Sequence, residues 1–293
     1  MASEKARRQE NVEGKFYVDS TCINCGACYW IAPESFAFNN SMSAVYQQPS
    51  QDNEDEDEAF RALLSCPVNS IGVVKSEKLE KNSRKMMASF PYLLESNIYH
   101  CGFHAESSFG AASFLIKREH GNILIDSPRF VKQLEDQFKK MGGIDLYLLT
   151  HKDDVADTSR YWKSFGGKRT IHHQDVTKIS KDFEFIFKYE EPFYIDNDIL
   201  VIPVPGHTRG SVCYLYQNKF LFTGDHLAFS MRLNHLYAFK NACWYDFEEQ
   251  IKSMEKLLDY NFEYILPGHG APFKANKEEM KKSLKLCIDW MKS

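Results

Sequence analysis

The feature that most restricts how this chain folds is a short loop, Cys22-Ile23-Asn24-Cys25-Gly26-Ala27-Cys28, with a cysteine at every third position. With Gly26 at the bend, three thiolates so spaced can point at three corners of one cuboidal metal cluster. A fourth must come from elsewhere, and Cys66, followed by Pro67, is the candidate. Eight cysteines are also an even set for four disulfides. Disulfide frameworks belong to small secreted domains that lack a core, whereas this chain has 293 residues, 43% of them apolar. The spacing therefore reads as a metal site. Cys213, in an apolar strand pattern, and Cys287, on a helix, read as buried free thiols.

The length suits one large globular domain or two moderate ones. Lys and Arg number 36 against 40 Asp and Glu, a net charge of −4, which lacks the basic excess of a nucleic-acid binder. No apolar run approaches the roughly 18 to 20 residues that span a bilayer, so no transmembrane segment is expected. The first fourteen residues mix Lys and Arg with Glu4, Glu10 and Glu13 and contain no apolar core of a signal peptide. An intracellular or already processed chain is the expectation.

A polar stretch at residues 75–85 (KSEKLEKNSRK) reads as a linker, dividing the chain into units 1–88 and 89–293. In the second unit, residues 114–116 and 123–125 flank the turn signal His120-Gly121-Asn122 and predict a β-hairpin. Phe130, Leu134, Phe138 and Met141 recur at helical spacing before Gly142-Gly143. Strands are expected at 146–149, 199–204, 212–216, 220–222 and 264–266. Helices are expected at 160–165, through Phe247, Ile251, Met254 and Leu258, and at 277–291. Alternating strands and helices with hairpin-linked early strands fit a mixed α/β sandwich better than a parallel doubly wound sheet.

Residues 14–75 resemble bacterial-type ferredoxins, whose pattern is C-x2-C-x2-C-x3-C-P. Ala32-Pro33 stands where that pattern has its fourth cysteine, and no second triplet surrounds Cys66. The resemblance implies one [4Fe–4S] cluster held by Cys22, Cys25, Cys28 and Cys66; a zinc knuckle is the alternative for the same four thiols. The acidic run at residues 52–58 reads as a solvated approach to a helix at 59–64 or as a docking patch for a redox protein partner.

Four apolar strands in the second unit run straight into a loop with a ligand-type residue: Leu149-Thr150-His151, Pro205-Gly206-His207-Thr208, Thr223-Gly224-Asp225 and Pro267-Gly268-His269-Gly270. In this order, over residues 92–275, they resemble the metallo-β-lactamase superfamily. The fold class this implies is an α+β ferredoxin-like N-terminal domain followed by an αββα metallo-β-lactamase-type sandwich. Imidazoles and a carboxylate along one sandwich edge converge on a hard or borderline cation. The family's H-x-H-x-D-H motif is altered here: His151 is kept, Asp153 takes the second histidine's place, and Asp157-Thr158 stands as a displaced Asp-His pair. The resemblance implies His151, Asp153 and His207 at a first metal, Asp157 and His269 at a second, and Asp225 between them. With Thr158 in a histidine's place, one ion is expected. His226, His172, His173 and His235 are read as surface or supporting residues.

Oxygen-rich ligation shifts preference from zinc towards iron or manganese, and two histidines with one carboxylate form a non-haem iron(II) set. His151, His207 and Asp225 are similar to the iron site of persulfide dioxygenases, and Asp153 resembles the H-x-E variant of flavodiiron proteins. Glyoxalase II-type hydrolases keep the histidines lost here. Three functions follow: redox chemistry on a small substrate, with the cluster supplying electrons; hydrolysis of an ester or thioester by metal-bound water; and a non-catalytic assembly or sensing role. The fusion, with residues 150–157 (THKDDVAD) and His100-Cys101-Gly102-Phe103-His104, resembles a group from cyanobacteria and plastids, which implies a cytoplasmic or stromal location. Replacing Cys25 with serine is expected to leave a three-iron cluster, detectable by EPR of the oxidised protein; stoichiometric zinc without iron in anaerobically reconstituted protein would identify a zinc site instead.

Overall fold

Along the hairpin and the strand beside it, Phe114, Ile116, Ile123, Ile125 and Leu148 alternate with Leu115, Leu124 and Tyr147, and all are buried. Successive side chains of a strand face opposite ways, so this sheet is covered on both faces. The computed structural model describes residues 2–50, 54–74 and 77–293. The sheet has seven strands in the order Phe185–Phe187, Lys168–His172, Leu146–Leu148, Ile123–Ile125, Phe114–Ile116, Ile98–His100 and Tyr92–Glu95. Its second half is the antiparallel hairpin region, and its first half is parallel. A six-stranded sheet faces it: Phe193–Asp196, Ile199–Pro203, Val212–Tyr216, Phe220–Gly224, Tyr264–Pro267 and Phe273–Lys274.

Between the sheets lies one core, in which Phe114, Ile125 and Leu148 meet Val212, Tyr214, Phe222 and Leu266. The N-terminal unit contributes three helices, α1 (Ala27–Ile31), α2 (Glu54–Ser65) and α3 (Glu77–Ala88). The sandwich adds α4 (Lys132–Lys140), α5 (Thr158–Phe165), α6 (Phe247–Lys256) and α7 (Lys277–Lys292). Leu134 and Phe138 of α4 and Tyr161 of α5 cover the outer face of the seven-stranded sheet. Ile251, Met254, Leu284 and Cys287 of α6 and α7 cover the other sheet, where Cys213, Leu221 and Ile265 meet them. The caps follow the sequence: the Asn276 side chain accepts the Glu278 and Glu279 N–H groups, and Asp246 accepts that of Glu249.

In the N-terminal unit, strand Phe16–Val18 pairs antiparallel with Ile71–Val73, and Phe36–Asn39 pairs with Met42–Val45. Phe16, Phe36, Phe60 and Ile31 fill its core, which continues without a break through Phe90, Cys101 and Phe103 into the outer face of the seven-stranded sheet.

The stretch expected as a linker is helical from Glu77 onward. Lys75 and Ser76 lie outside the described residues. Met86 is 2% exposed in the shared core, the Asn82 Nδ2 donates to Glu56 Oε2 at 2.9 Å, and Lys85 pairs with Asp57 at 3.2 Å. Charge conceals this helix in the sequence because Glu80, Lys81, Arg84 and Lys85 face water. Of the acidic run, residues 52 and 53 lie outside the described set, while Glu54 to Glu58 open α2 five residues earlier than expected; acidic groups favour a helix N-terminus. Strands Lys168–His172, Phe185–Phe187 and Phe193–Asp196 went unexpected because each is short and lies among charged residues. Met86→Ala is expected to lower stability by about 2 to 3 kcal/mol in chemical denaturation, the cost of a truncated core methionine; a residue in a loose linker would shift it by under about 0.5 kcal/mol.

Candidate functional site

Cys22, Cys25, Cys28 and Cys66 line one cavity. Cys28 rides on α1, and Cys66 follows the last residue of α2. Two backbone N–H groups point at these sulfurs, Ser70 to Cys66 Sγ at 3.2 Å and Asn24 to Cys22 Sγ at 3.4 Å, while the Ser43 hydroxyl lies 3.1 Å from Cys28 Sγ. Burial pushes the Cys25 thiol up to about 12 and raises that of Cys28 well above its usual value. Thiolates here therefore need bound cations to hold them, which is the chemistry of an iron–sulfur cluster.

At one edge of the sandwich, four groups form a cage. Asp153 Oδ2 stands 3.8 Å from His151 Nε2 and 3.6 Å from His207 Nε2, and Asp225 Oδ2 stands 3.7 Å from each of the same nitrogens. These separations are too long for hydrogen bonds. They are in the range of donor-to-donor separations around a common ion, and His151, Asp153 and His207 bring their donor atoms within 4.8 Å of one another. His269 Nε2 lies a further 3.7 Å from Asp225 Oδ2. His151 and His207 are 1% and 2% exposed, and the Nε2 of each lacks a hydrogen-bond partner, as does Asp225 Oδ1. The donor set fits a metal ion.

His151 is aimed by its surroundings. Its Nδ1 lies 3.0 Å from Thr150 Oγ1, and Thr150 in turn donates its N–H and hydroxyl to the buried Asp126 carboxylate at 2.8 and 2.9 Å. When Asp126 is ionised it takes the hydroxyl proton, so that Thr150 Oγ1 accepts from Nδ1–H and the Nε2 lone pair faces the cage. Burial raises the Asp126 carboxyl to about 8. Burial likewise lowers His151 against the pull of Asp225, while the His207 imidazole holds Asp153 below the usual carboxylate range. Asp175 fixes the His207 loop, accepting the Thr208 hydroxyl at 2.5 Å and the Gly210 N–H at 2.9 Å.

Of the six metal candidates from the sequence, His151, Asp153, His207, Asp225 and His269 meet here. Asp157 does not join them. It precedes α5, and its Oδ2 accepts the Phe130 N–H at 2.7 Å. Thr158, in the first turn of α5, is fully buried and gives its hydroxyl to the Val155 carbonyl at 2.5 Å. Asp154 occupies the cluster instead: its Oδ2 lies 3.9 Å from His151 Nδ1, and neither of its oxygens has a hydrogen-bond partner. Burial and the neighbouring Asp225 raise its carboxyl well above the ordinary range. Gly268 lets the His269 loop close over these acids, since a Cβ there would stand 2.8 Å from Asp225 Oδ1 and 2.9 Å from Asp154 Oδ2.

Sequence reasoning missed Asp154, masked by its neighbour Asp153, and Asp126, although Asp126 follows strand Ile123–Ile125 in the same strand-to-loop arrangement as the other ligands. His226 is buried beside His207, held down to about 3, with both ring nitrogens unpartnered. His172 and His173 pack on each other with centroids 4.6 Å apart, and His235 Nδ1 meets the Leu236 carbonyl. His100 and His104 form a buried pair, Nε2 to Nε2 at 2.8 Å, with Trp30 of α1 packed on both rings. Phe109 and Phe239 flank His269, and the exposed Trp244 lies beside His207.

Comparison with known proteins agrees with both halves. Residues 18–73 match the family described as the 4Fe-4S single cluster domain of Ferredoxin I. The chain superposes on a metallo-beta-lactamase from Hirschia baltica with a TM-score of 0.52 and 14% identity, over 67% of this chain and 95% of that one. A metallo-beta-lactamase from Pontibacter korlensis gives 0.51 and 16%, over 69% and 97%. In sequence the chain is 26% identical over 189 residues to the Beta-lactamase-like protein 2 homolog of Drosophila melanogaster, a match spanning 58% of this chain and 62% of that relative's length. The fold is thus a ferredoxin-like unit followed by a metallo-β-lactamase-type αββα sandwich. The chain unites a ferredoxin-type 4Fe-4S domain with a sandwich that carries candidate metal ligands.

Thr150→Val is expected to weaken metal binding about 10- to 100-fold in a competition titration, the usual cost of losing an outer hydrogen bond to a ligating histidine. Asp157→Asn is expected to leave metal affinity unchanged in the same titration.

Proposed function

We propose that this protein is an iron–sulfur redox enzyme in which the cluster unit, residues 1–88, supplies electrons to one metal ion in the sandwich, residues 89–293, that acts on a small substrate. Cys22, Cys25, Cys28 and Cys66 hold the cluster. His151, His207 and Asp225 hold the ion, with Asp153 and His269 completing its surroundings. The observation that carries the reading is the donor set: two imidazoles caged by two carboxylates, with the acid Asp154 beside them, suit iron or manganese better than an imidazole-rich zinc site. A cluster in the same chain supports it, since hydrolysis uses no electrons. When bound, the ion supplies a Lewis-acidic, redox-active centre. The chain's residues do the rest: Thr150 and Asp126 orient His151, and Phe109 and Phe239 beside His269, with Trp244 beside His207, offer apolar faces to a small substrate.

A hydrolase is the second reading, favoured by the fold shared with the metallo-beta-lactamases. Mössbauer spectra of anaerobically purified protein separate the two. The redox reading expects cluster iron together with a distinct mononuclear iron that His207→Ala removes while the cluster remains. Tightly bound zinc in the sandwich, with thioester hydrolysis, would establish the hydrolase.

A further inference from the structure

One segment of the sandwich touches both centres. After the turn Glu106–Ser108, Phe109 and Gly110 both take left-handed backbone angles, φ 48° and 87°. A Cβ on residue 110 would stand 2.9 Å from Cys25 Sγ, 2.8 Å from Cys25 Cβ and 3.0 Å from Pro67 Cγ. Glycine is therefore what allows the sandwich backbone to lie against one cluster cysteine and the residue after another. Two residues later, the Ala112 N–H donates to the Gly268 carbonyl at 2.7 Å, and Gly268 precedes His269. The Phe109 ring lies 6.1 Å from that of His269. From the close approach of Gly110 to Cys25, two peptide units and one short hydrogen bond lead to the His269 loop. Tunnelling between redox centres falls steeply with distance and faster through gaps than through bonds, so a continuous path of this kind favours transfer.

We propose that residues 110–112 are the internal electron path from the cluster to the ion, with Gly110 as the positioning residue that lets this loop lie against Cys25. The proposal rests on the redox reading above and adds the route. With both centres loaded, the cluster held by Cys22, Cys25, Cys28 and Cys66 would supply one electron, drawn from a low-potential one-electron donor, and the ion held by His151, His207 and Asp225 would accept it, ferric to ferrous. The chain's part is the Cys25 edge, Gly110 and the hydrogen bond from Ala112 to Gly268, with no proton moved and no bond broken.

The test uses the full chain. With manganese(II) in the sandwich site, the EPR signal of the dithionite-reduced cluster is expected to relax faster than with zinc there, and His207→Ala is expected to abolish the difference. With ferric iron in the site and substoichiometric dithionite, freeze-quenched samples are expected to lose the cluster and ferric signals together at a first-order rate independent of protein concentration. Gly110→Ala, whose methyl group must displace the Cys25 contact, is expected to slow that rate about tenfold or more with cluster absorbance and iron content retained. Should that variant lose its cluster, Ala112→Pro, which deletes the N–H to Gly268, is expected to slow it likewise. Absence of manganese-induced relaxation, or unaltered rates in the variants that retain both centres, would overturn the route. Reduction of the ion only at a rate proportional to protein concentration would overturn the route and leave the redox reading standing, whereas relaxation enhancement without any electron transfer would overturn both.

Discussion

The packing of two sheets face to face is the constraint on which the rest of this structure depends. Apolar burial between Phe114, Ile125 and Leu148 on one side and Val212, Tyr214, Phe222 and Leu266 on the other presses the sheets together. Hydrogen bonds then pin the edge where strands end. The Val212 N–H donates to the Thr150 carbonyl at 2.9 Å, the Tyr214 hydroxyl to that of Leu149 at 2.8 Å, and the Ala112 N–H to that of Gly268 at 2.7 Å. Each ligand-type residue sits within a few positions of such a pinned strand end, so its side chain has little room to drift.

That edge concentrates groups that are costly to bury alone. His151 and His207 leave ring nitrogens unpaired, Asp154 leaves both oxygens unpaired, and the Asp225 carboxylate faces three imidazoles at 3.7 Å without bonding to any. Buried acids are pushed up in pKa, as at the unpaired Asp154 and at Asp126, or find a cation. A metal ion held by the Nε2 atoms of His151 and His207 and by Asp225 would meet several of these demands at once. Asp126 and Thr150 show how the surrounding shell serves it, spending a buried carboxylate to fix the tautomer of one histidine.

The N-terminal unit shares its core with the sandwich. Phe60 and Cys28 belong to the same apolar cluster as Phe103 and Leu115, Trp30 covers the buried histidine pair, and α3 braces the junction through Met86. A shared core fixes orientation far more firmly than a flexible tether would. Its consequence is that the cluster cavity adjoins the 105–112 loop, the loop that also bonds to the segment bearing His269.

The four cysteines that line one cavity and the strand-to-loop segments that meet at the sandwich edge were legible in the sequence because both are local patterns: thiols at fixed spacing, and polar residues placed where an apolar strand stops. For the same reason the hairpin, the strand at 212–216 and the closing helix lie where their periodicity indicates. What the sequence could not express is which of several neighbouring acids turns inward. Asp153, Asp154 and Asp157 are equivalent as letters; the short turn Lys152–Asp154 brings the first two to the cage, and the Phe130 N–H claims the third. The helix hidden in the charged stretch at 77–88 and the contact of Gly110 with Cys25 were likewise decided only in three dimensions. Both depend on partners far away in the chain, and local composition carries no record of a surface that a distant segment will cover.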